Sequence, residues 1–425
     1  MQAVSPAPHR TQPRDEGAEP SGMRPRTAAR LELARAIGGG LAAPLRFLAH
    51  LPTRSRIRRE IAADVTAGAA TLDEPAAAAA LPKDRPLRVF LCTAEASGEI
   101  HGASLAQSLW QLADDQGAPR PEIIGIGGER LRALGISTIG DPVARAETGF
   151  DGVLQSLPYY VGLLEDAARH ARETRPDVVV PIDSPALHVP LARMVRRYGV
   201  PVVHLVAPQY WGWAPWRVRA YRKVIDRALT ILPHEPAWFA RNGVATAHVG
   251  HPLLDALRDV PVTEPEESSR VLALLPGSRR GVIRRNLPWM LESLGELRQR
   301  YPDVEVRVLQ STDEHRELIE GIFAESASTQ RSPGSESTQL VIGDLHGQLA
   351  GARAAFAVSG TILTDILHHR LPTVVIYRVS GRRDTWMYRN VLTCPYFAST
   401  NLLAGREVLP EHCFRGFGPR EEVSK

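Results

Sequence analysis

The stretch LLPGSR at residues 274–279 lies between a short apolar run and a segment with helical periodicity, which predicts a strand, a turn and a helix. Such a turn presents backbone N–H groups and the positive end of a helix dipole at one spot. Gly277 lets a ligand approach the backbone, Ser278 can cap the helix or donate a hydrogen bond, and Arg279 can bind a phosphate through two parallel bonds. The stretch therefore predicts a diphosphate site. The alternative is a plain strand–helix turn with a capping serine and a solvated arginine.

A second turn of the same design follows later in the chain. The apolar run at 354–358 leads into Ser359-Gly360-Thr361 and then into a helix that contains Asp365. Asp365 lies just beyond the turn, where a carboxylate can accept hydrogen bonds from the two hydroxyls of a ribose. Two phosphate-type turns from one predicted sheet, with a carboxylate beyond the second, favour a nucleotide-sugar site over a lone structural turn.

The alternation of apolar runs and helical patterns predicts the fold class. The apolar runs occur at residues 87–92, 121–126, 177–182, 200–206, 229–232, 248–249, 270–275, 304–309, 339–342, 354–358 and 372–379. Strands that alternate with helices through short turns predict doubly wound parallel sheets, an α/β fold. A linker rich in Pro, Glu and Ser at 261–269 divides the folded chain into two Rossmann-like domains, at 85–258 and 259–425.

The composition excludes several classes of protein. The chain has 425 residues, of which 44% are hydrophobic, and a net charge of +4, which does not argue for nucleic acid as a partner. The three cysteines are far apart and lack metal-ligand spacing, which favours a reducing compartment without a disulfide framework or a zinc site. No stretch approaches the roughly 20 uninterrupted apolar residues of a membrane span.

The N-terminal residues 1–84 differ in composition from the rest of the chain. The first residues are rich in Pro, Arg, Ala, Ser and Gly, and an alanine-rich linker follows at 67–80, so we expect a disordered basic extension. The arginines within 54–59 leave a second interpretation open. In that interpretation a basic amphipathic segment lies on an anionic membrane surface.

Several points in the predicted first domain could carry chemistry. Ser97 and Gly98 follow the first strand, at the carboxyl end where open α/β sheets bind ligands. Asp183 follows the strand at 177–182, and partial burial there can tune a carboxylate to act as a general base. The alternative for Asp183 is a cap of the next helix.

A cluster of tryptophans falls at residues 211–216, directly after a predicted strand. Trp211 and Trp213, followed by Arg217, could line an apolar or sugar-stacking wall. The alternative is that these rings fill the top of the sheet as core. Where the chain leaves the first domain, His251 could face an interdomain cleft or fix the turn through a backbone bond.

Eight segments in chain order carry a family resemblance: AEASGEIHG (94–102), PIDSP (181–185), VVHLVAPQYWGW (202–213), VGHPLLD (249–255), LLPGSR (274–279), SGT (359–361), YRV (377–379) and NLLAGRE (401–407). Together they resemble the lipid-A-disaccharide synthase family, glycosyltransferases that join two acylated glucosamine units in lipid A assembly. The resemblance runs through both predicted domains.

The resemblance implies a GT-B-like pair of Rossmann-like domains facing a cleft, without a catalytic metal or a cofactor. It implies inverting transfer from UDP-2,3-diacylglucosamine to 2,3-diacylglucosamine 1-phosphate, which gives the β-1,6 disaccharide and UDP. Asp183 matches the family's base, and Arg279 matches its diphosphate-contacting arginine. The substrate-binding residues expected on this basis are Ser97, Gly98, Trp211, Trp213, Arg217, His251, Gly277, Ser278, Ser359, Gly360, Thr361, Asp365, Tyr377, Arg378, Asn401, Gly405, Arg406 and Glu407.

The resemblance also implies partners and a location. The expected partners are a UDP-sugar donor, an acylated glucosamine phosphate acceptor, the inner-membrane surface and a second copy in a homodimer. The expected location is the cytoplasm, peripheral at the inner membrane. Family members continue beyond the position of Lys425, so the second domain is expected to be truncated at its C-terminus.

The chain departs from the family pattern at several positions. Where the family pattern is Asp-x-Pro-Asp-Phe-Asn, this chain has DSPALH at 183–188. Ala214 replaces the basic residue that usually follows Trp-x-Trp, and Asp365 replaces the glutamate that usually lies beyond Ser-Gly-Thr. These departures keep open the alternative of a related UDP-sugar transferase or epimerase with a different acceptor. The expected C-terminal truncation keeps open a second alternative, a catalytically impaired UDP-sugar-binding protein.

Overall fold

A computed structural model describes residues 24–68, 80–146, 152–262, 268–328, 338–379, 381, 386 and 390–415. The chain forms two compact units, the first from Met1–Gly39 with Leu81–Val202 and the second from Gly40–Ala80 with Val203–Lys425. The domain boundary predicted between residues 258 and 259 stays a prediction.

From β1 onward, each described strand is separated from the next by at least one helix. The helices are α1 (Pro25–Leu41), α2 (Ala43–Ala67), α3 (Ala96–Gln116), α4 (Glu129–Ala133), α5 (Val143–Ala146), α6 (Gly152–Thr174), α7 (Pro185–Val195), α8 (Tyr210–Trp213), α9 (Val218–Tyr221), α10 (Glu235–Arg241), α11 (Pro252–Ala256), α12 (Arg280–Arg300), α13 (Arg316–Ser328), α14 (Leu345–Ala350), α15 (Ile362–His368) and α16 (Ser399–Ala404). The strands are β1 (Arg88–Cys92), β2 (Glu122–Ile126), β3 (Ser137–Thr138), β4 (Val178–Pro181), β5 (Val203–Leu205), β6 (Arg227–Thr230), β7 (Thr246–His248), β8 (Val271–Leu275), β9 (Glu305–Gln310), β10 (Thr338–Ile342), β11 (Ala354–Val358), β12 (Thr373–Val379) and β13 (Glu411–Arg415).

The first unit contains a four-stranded parallel sheet in the order β3-β2-β1-β4. Its strand β1 is buried over Val89–Cys92, as expected for a strand covered by helices on both faces. Val202, the residue before β5, forms an isolated parallel bridge with Val179 of β4. The direction in which strands are added reverses between β1 and β4, so the loops after these two strands flank a topological switch point.

The second unit contains a six-stranded parallel sheet in the order β10-β9-β8-β11-β12-β13. All five residues of β8 are buried, and they alternate between its two faces. Leu272 and Leu274 belong to the apolar cluster that contains the buried face of α12. Val271, Ala273 and Leu275 belong to the cluster that contains the buried residues of α15. Helices therefore cover both faces of the sheet, as in a Rossmann fold.

A third parallel sheet, in the order β5-β6-β7, also belongs to the second unit. Every apolar run predicted from the sequence overlaps one of the described strands. The prediction of an α/β fold built on parallel sheets is therefore confirmed. The strands β3 and β13 were not predicted, because β3 has only two residues and β13, with the sequence EHCFR, contains no long apolar run.

The N-terminal region differs from the predicted disordered extension over Pro25–Ala67, which is helical. In the first unit, the buried Glu32 of α1 pairs with Arg35 and with Arg193 of α7. The remaining parts of the predicted extension, 1–23 and 69–79, lie outside the described residues.

Helix α2 packs on the second unit. Its residues Ile61 and Val65 are buried, and the carboxylate of Asp64 pairs with the guanidinium of Arg241 on α10. These contacts fix α2 as part of the unit. Among the described residues, no helix combines the length and the apolar character that crossing a bilayer requires.

Candidate functional site

The two predicted phosphate turns leave the carboxyl ends of neighbouring strands. Strand β8 is followed by LLPGSR's turn at 276–279, and its neighbour β11 is followed by the turn at 359–361. The order of the sheet reverses between these two strands, with β9 and β10 on one side and β12 and β13 on the other. Ligands of open α/β sheets bind in the crevice at such a switch point. The topology therefore brings the two turns together, as the nucleotide-sugar prediction requires.

The turn at 276–279 requires a glycine and is held through its backbone. Gly277 has φ +107°, and a Cβ there would lie 2.6 Å from Cγ1 of Val282. Gln310 Nε2 donates a hydrogen bond to the Gly277 carbonyl at 3.1 Å, and His315 Nε2 lies 3.0 Å from the Ser278 carbonyl. These contacts position the turn without using the Ser278 hydroxyl.

Helix α12 begins directly after this turn. Its N-cap residue is Arg279, in extended conformation, and no side-chain capping hydrogen bond is formed there. The alternative of a capping serine at Ser278 is therefore not what the structure shows. Both residues are exposed. A long helix that begins without a side-chain cap beside an exposed arginine presents the N–H groups and the positive charge that an anion needs.

The turn at 359–361 is tied to a more C-terminal segment. Ser359 Oγ donates to the carbonyl of Phe397 at 2.8 Å. Gly360 and Thr361 are exposed, and a Cβ on Gly360 would meet nothing within 4 Å. Asp365 is partly buried, which raises its pKa, and its Oδ1 lies 3.8 Å from His346 Nε2. The Ser359 side chain thus holds the turn against the segment at Phe397, whereas Gly360 and Thr361 border open space.

Asn401 has a structural position in the second unit. Its side chain is buried, and its amide nitrogen donates to the Leu409 carbonyl at 2.8 Å and to Glu411 at 3.1 Å. Its amide oxygen accepts from the N–H groups of Val408 and Leu409 at 2.8 and 2.9 Å. Both donors and both acceptor positions of the amide are therefore occupied within the protein. The Asn401 side chain therefore shapes the loop that runs to Glu411, and a contact of this residue with a ligand stays a prediction.

The other residues expected on the nucleotide side divide by exposure. Tyr377, Arg406 and Glu407 are exposed. Arg378 is partly buried and donates to the Arg285 carbonyl at 2.6 Å. Gly405 ends α16 with φ +69°, and a Cβ there would lie 2.6 Å from the carbonyl oxygen of Val65 on α2, so this glycine is required for packing.

In the first unit, Asp183 and Gly98 lie at the switch point between β1 and β4. Asp183 and Ser184 follow β4 with φ values of +51° and +43°, a left-handed conformation that non-glycine residues adopt at a cost. The backbone of Gly98 passes close to β4, because a Cβ there would lie 3.7 Å from the Ile182 carbonyl. Ser97, one residue earlier on α3, is partly exposed. The structure therefore brings these predicted residues to one place.

The environment of Asp183 suits a general base. Burial raises its pKa above the usual value for an aspartate, although the backbone N–H of Ser184 acts in the opposite direction. A more basic carboxylate is a better proton acceptor. The cap of the following helix α7 is Ser184, without a side-chain capping bond, so the helix-cap alternative for Asp183 is not what the structure shows.

His188 was not predicted as a functional residue. It is fully buried on α7, and its Nδ1 lies 2.7 Å from the carbonyl oxygen of Asp183. Because a carbonyl only accepts, Nδ1 carries the proton. Burial lowers the pKa of His188 to about 4, so the ring is neutral near pH 7. The imidazole thus holds the left-handed backbone of Asp183. The signal in the sequence was the histidine where the family pattern has an asparagine.

Replacing His188 with asparagine is expected to reduce the sensitivity of the protein to acid. The folded-state pKa of His188 is about 4 and the usual value is 6.5, so its stabilising contribution is present above pH 6.5 and is lost as the pH falls towards 4. Between pH 7 and pH 5 the parent should lose about 2 kcal/mol of unfolding free energy that His188→Asn does not lose. Urea denaturation at both pH values measures this difference. Parallel pH profiles for the two proteins would contradict it.

The tryptophan segment divides into core and surface. Trp211 is 1% exposed, and its Nε1 donates to Glu235 Oε1 at 3.1 Å, so this ring belongs to the core. Trp213 is only partly buried, and the guanidinium carbon of the exposed Arg217 lies 4.6 Å from its ring centre. Trp213 with Arg217 is therefore the part of this segment that can form a binding wall. His251 is partly buried directly before α11.

Glu235 was also missed by the sequence analysis. It is fully buried, and besides Trp211 it accepts hydrogen bonds from the N–H groups of Ile231 and Leu232, both at 3.0 Å. Burial raises its pKa to about 7 in spite of these three donors. A single glutamate after a strand gives no sequence signal of such a role. In the described part of the chain, no group of three or more His, Cys, Asp or Glu side chains is arranged to hold a metal ion.

Comparison with known proteins gives one consistent family. The family model described as lipid-A-disaccharide synthetase matches residues 89–417. A lipid-A-disaccharide synthase from Myxococcus xanthus is 34% identical over 339 residues, which cover 77% of this chain and 83% of that protein. The proteins of the same name from Solibacter usitatus and Gluconobacter oxydans are 32% and 33% identical, over 76% and 84% of this chain and 82% and 85% of their own lengths.

Proposed function

The chain belongs to the lipid-A-disaccharide synthase family, and from that premise we propose that it transfers the glucosaminyl group of UDP-2,3-diacylglucosamine to 2,3-diacylglucosamine 1-phosphate. The resemblance drawn from eight ordered segments is thereby confirmed. The single observation that carries the proposal is the switch point of the second sheet, where the turns after β8 and β11 lie side by side. This is the position and the backbone geometry that a sugar nucleotide requires.

In the proposed reaction, Asp183 removes the proton from the 6-hydroxyl of the acceptor. The hydroxyl oxygen forms a bond to the anomeric carbon, the bond from that carbon to the diphosphate breaks, and UDP leaves with inversion. Charge builds up on the diphosphate as the bond breaks. The guanidinium of Arg279 and the N-terminal N–H groups of α12 stabilise that charge. The raised pKa of Asp183 and its fixed backbone support its role as the proton acceptor.

The direct test is an assay of the purified protein with both acylated substrates. Formation of UDP and of a β-1,6-linked disaccharide in equal amounts is the expected result. Binding of UDP without any disaccharide would overturn the proposal of transferase activity and would favour a UDP-sugar-binding protein.

Arg279→Ala is expected to weaken UDP binding by about 10- to 100-fold, the loss expected when a charge-assisted contact to a phosphate is removed. Isothermal titration calorimetry with UDP measures the effect. Arg280→Ala is the matched control, because Arg280 is also exposed and lies one residue further along, inside α12. Equal affinity of the two variants for UDP would contradict a diphosphate contact by Arg279.

We also propose that the protein binds the membrane surface on which its acylated substrates lie. Leu41 at the end of α1, and Leu45 and Leu48 in α2, are 78%, 70% and 58% exposed. The spacing of Leu45 and Leu48 places both on one side of α2. Arg46 is exposed beside them. Exposed leucines flanked by basic residues are typical of a segment that lies in the interface of an anionic bilayer.

Leu45→Ser with Leu48→Ser is expected to lower the affinity of the protein for phosphatidylglycerol vesicles, measured by flotation, by more than about tenfold, because about 0.8 kcal/mol is lost for each buried CH₂ removed. Leu254→Ser is the control, since Leu254 on α11 is 43% exposed but lies outside this patch. Equal flotation of the double variant and the parent would contradict binding through this patch.

A further inference from the structure

A cavity of about 170 Å³ lies between α2 and the segment that follows β12. Arg54 and Arg58 of α2 line it on one side, and Leu392 with residues 394–397 lines it on the other. All of these residues belong to the second unit. The family match begins at residue 89, so α2 lies outside it. We propose that this cavity is a phosphate-binding site that the N-terminal helix α2 completes, and that its two guanidinium groups are the ligands.

The arrangement of charge supports an anionic occupant. Arg54 and Arg58 lie one helical turn apart on the same side of α2, and like charges at this spacing destabilise a helix. No described carboxylate forms an ion pair with either of them. By contrast, Arg56 on the same helix lies 3.6 Å from Glu60. Two arginines directed to one cavity without a described acidic partner therefore have a repulsion that a phosphate would relieve.

The environment of Arg54 also disfavours its positive charge. Burial lowers the pKa of Arg54, and the charge of Arg58 lowers it further. Its Nε donates to the carbonyl of Leu392 at 3.0 Å, which fixes the guanidinium at the cavity while leaving its other N–H groups for a ligand. A planar, fixed guanidinium is suited to bidentate contact with a phosphate.

The helical wall of the cavity is firmly placed. On the N-terminal side of the two arginines, the rings of Phe47 and His50 on α2 contact the ring of Trp216. Their centres lie 4.9 and 5.1 Å, respectively, from the centre of the Trp216 ring. After them, Asp64 pairs with Arg241. The part of α2 that carries the two arginines is therefore held at both of its ends, which fixes the backbone from which their side chains reach the cavity.

The opposite wall is equally fixed. The N–H of Thr393 donates to the Gly212 carbonyl at 2.9 Å, and its hydroxyl donates to the Trp211 carbonyl. The N–H of Phe397 donates to Glu411, and the Phe397 carbonyl accepts from Ser359. Through Ser359 the cavity is joined to the turn proposed to hold the nucleotide. The phosphate group bound here is therefore either part of the nucleotide or a separate sugar phosphate beside it.

Calorimetry with inorganic phosphate tests the site itself. Arg58→Gln is the first variant, because in the described residues its side chain makes no hydrogen bond that holds the fold. It should weaken phosphate binding by about tenfold, and adding Arg54→Gln should weaken it further. Arg59→Gln, which removes the same charge from the next residue outside the cavity, should bind like the parent. Parent-like binding by Arg58→Gln, or an equal loss in Arg59→Gln, would overturn the inference.

Titrations with UDP and with glucosamine 1-phosphate then distinguish the two sources. A loss of UDP affinity that adds to the loss caused by Arg279→Ala would assign the cavity to the nucleotide. A loss confined to glucosamine 1-phosphate would assign it to a sugar phosphate, and both results support a phosphate site. The inference is separable from the proposed reaction. If the protein makes no disaccharide but binds phosphate at the cavity, the proposed reaction fails and the phosphate site stands. If the enzyme is active but both cavity variants bind phosphate like the parent, the phosphate site is overturned and the proposed reaction stands.

Discussion

Asp183→Asn is expected to lower kcat by about 10²- to 10⁴-fold, the usual contribution of a general base, while KM for both substrates changes little. The amide keeps the shape of the carboxylate but cannot accept the proton of the attacking hydroxyl. The left-handed backbone and the contact between His188 and the Asp183 carbonyl involve main-chain atoms, so the substitution leaves them in place. The loss should therefore appear in the chemical step.

The pH profile gives a second readout. A base must be deprotonated to act, so the rate should rise with pH through the pKa of Asp183. Burial raises that pKa, which moves the acidic limb of kcat/KM to a higher pH than an exposed aspartate would give. In Asp183→Asn this limb should disappear. Turnover within a few-fold of the parent, or an unchanged acidic limb, would show that another group removes the proton.

Asp177→Asn is the matched control for this experiment. Asp177 lies just before the amino end of β4, at the opposite end of the strand from Asp183, and bonds to the guanidinium of Arg85 and to the N–H of Arg88. Its replacement removes a carboxylate from the same strand and weakens the fold locally. The turnover of the folded protein and the acidic limb of its profile should remain those of the parent.

The positions of the turns at both sites could be predicted from the sequence, but the pairing of the strands that carry them could not. A buried parallel strand is a continuous apolar run, so each run marked the place where a loop leaves a carboxyl end. The runs do not say which strands pair. That β8 lies beside β11, and that the turns containing Gly277 and Ser359 therefore share a switch point, follows only from the backbone pairing.

Side-chain roles were harder to predict than positions. Asn401 lies in a family-like segment, yet its amide is fully used by the loop from Val408 to Glu411. Helix α2 was expected to be disordered because the segment is basic and its apolar stretch is interrupted by Pro44, and only its contacts with Trp216 and Arg241 show why it is ordered. Tertiary contacts decided both cases, and local sequence does not contain them.

Glu235→Ala is expected to lower the free energy of unfolding by about 3–5 kcal/mol at pH 7, a large effect for one residue. The carboxylate is fully buried and accepts from Trp211 Nε1 and from the N–H groups of Ile231 and Leu232. Alanine leaves all three donors buried without a partner and opens a cavity. Glu129→Ala is the control, because the Glu129 side chain is 86% exposed and its loss should change the free energy by less than about 0.5 kcal/mol.

The size of this loss should depend on pH in a defined direction. The folded-state pKa of Glu235 is about 7 and the usual value is 4.5, so the proton-linked part of its contribution is present below pH 4.5 and is lost as the pH rises through 7. Denaturation with urea should therefore show a difference between parent and Glu235→Ala that is about 2 kcal/mol larger at pH 5 than at pH 8. A difference that is constant or larger at pH 8 would show that Glu235 is not protonated in this range.

The Glu235→Ala substitution should also affect the phosphate-binding cavity. Glu235 fixes Trp211, and the carbonyls of Trp211 and Gly212 hold Thr393, which begins the wall of residues 394–397. Once Trp211 loses its partner, this wall loses part of its support. Phosphate affinity in Glu235→Ala should therefore fall even though the guanidinium groups of the cavity are intact. A buried carboxylate with no contact to any ligand would then control a binding site through Trp211, one of the tryptophans that the sequence could not assign to core or surface.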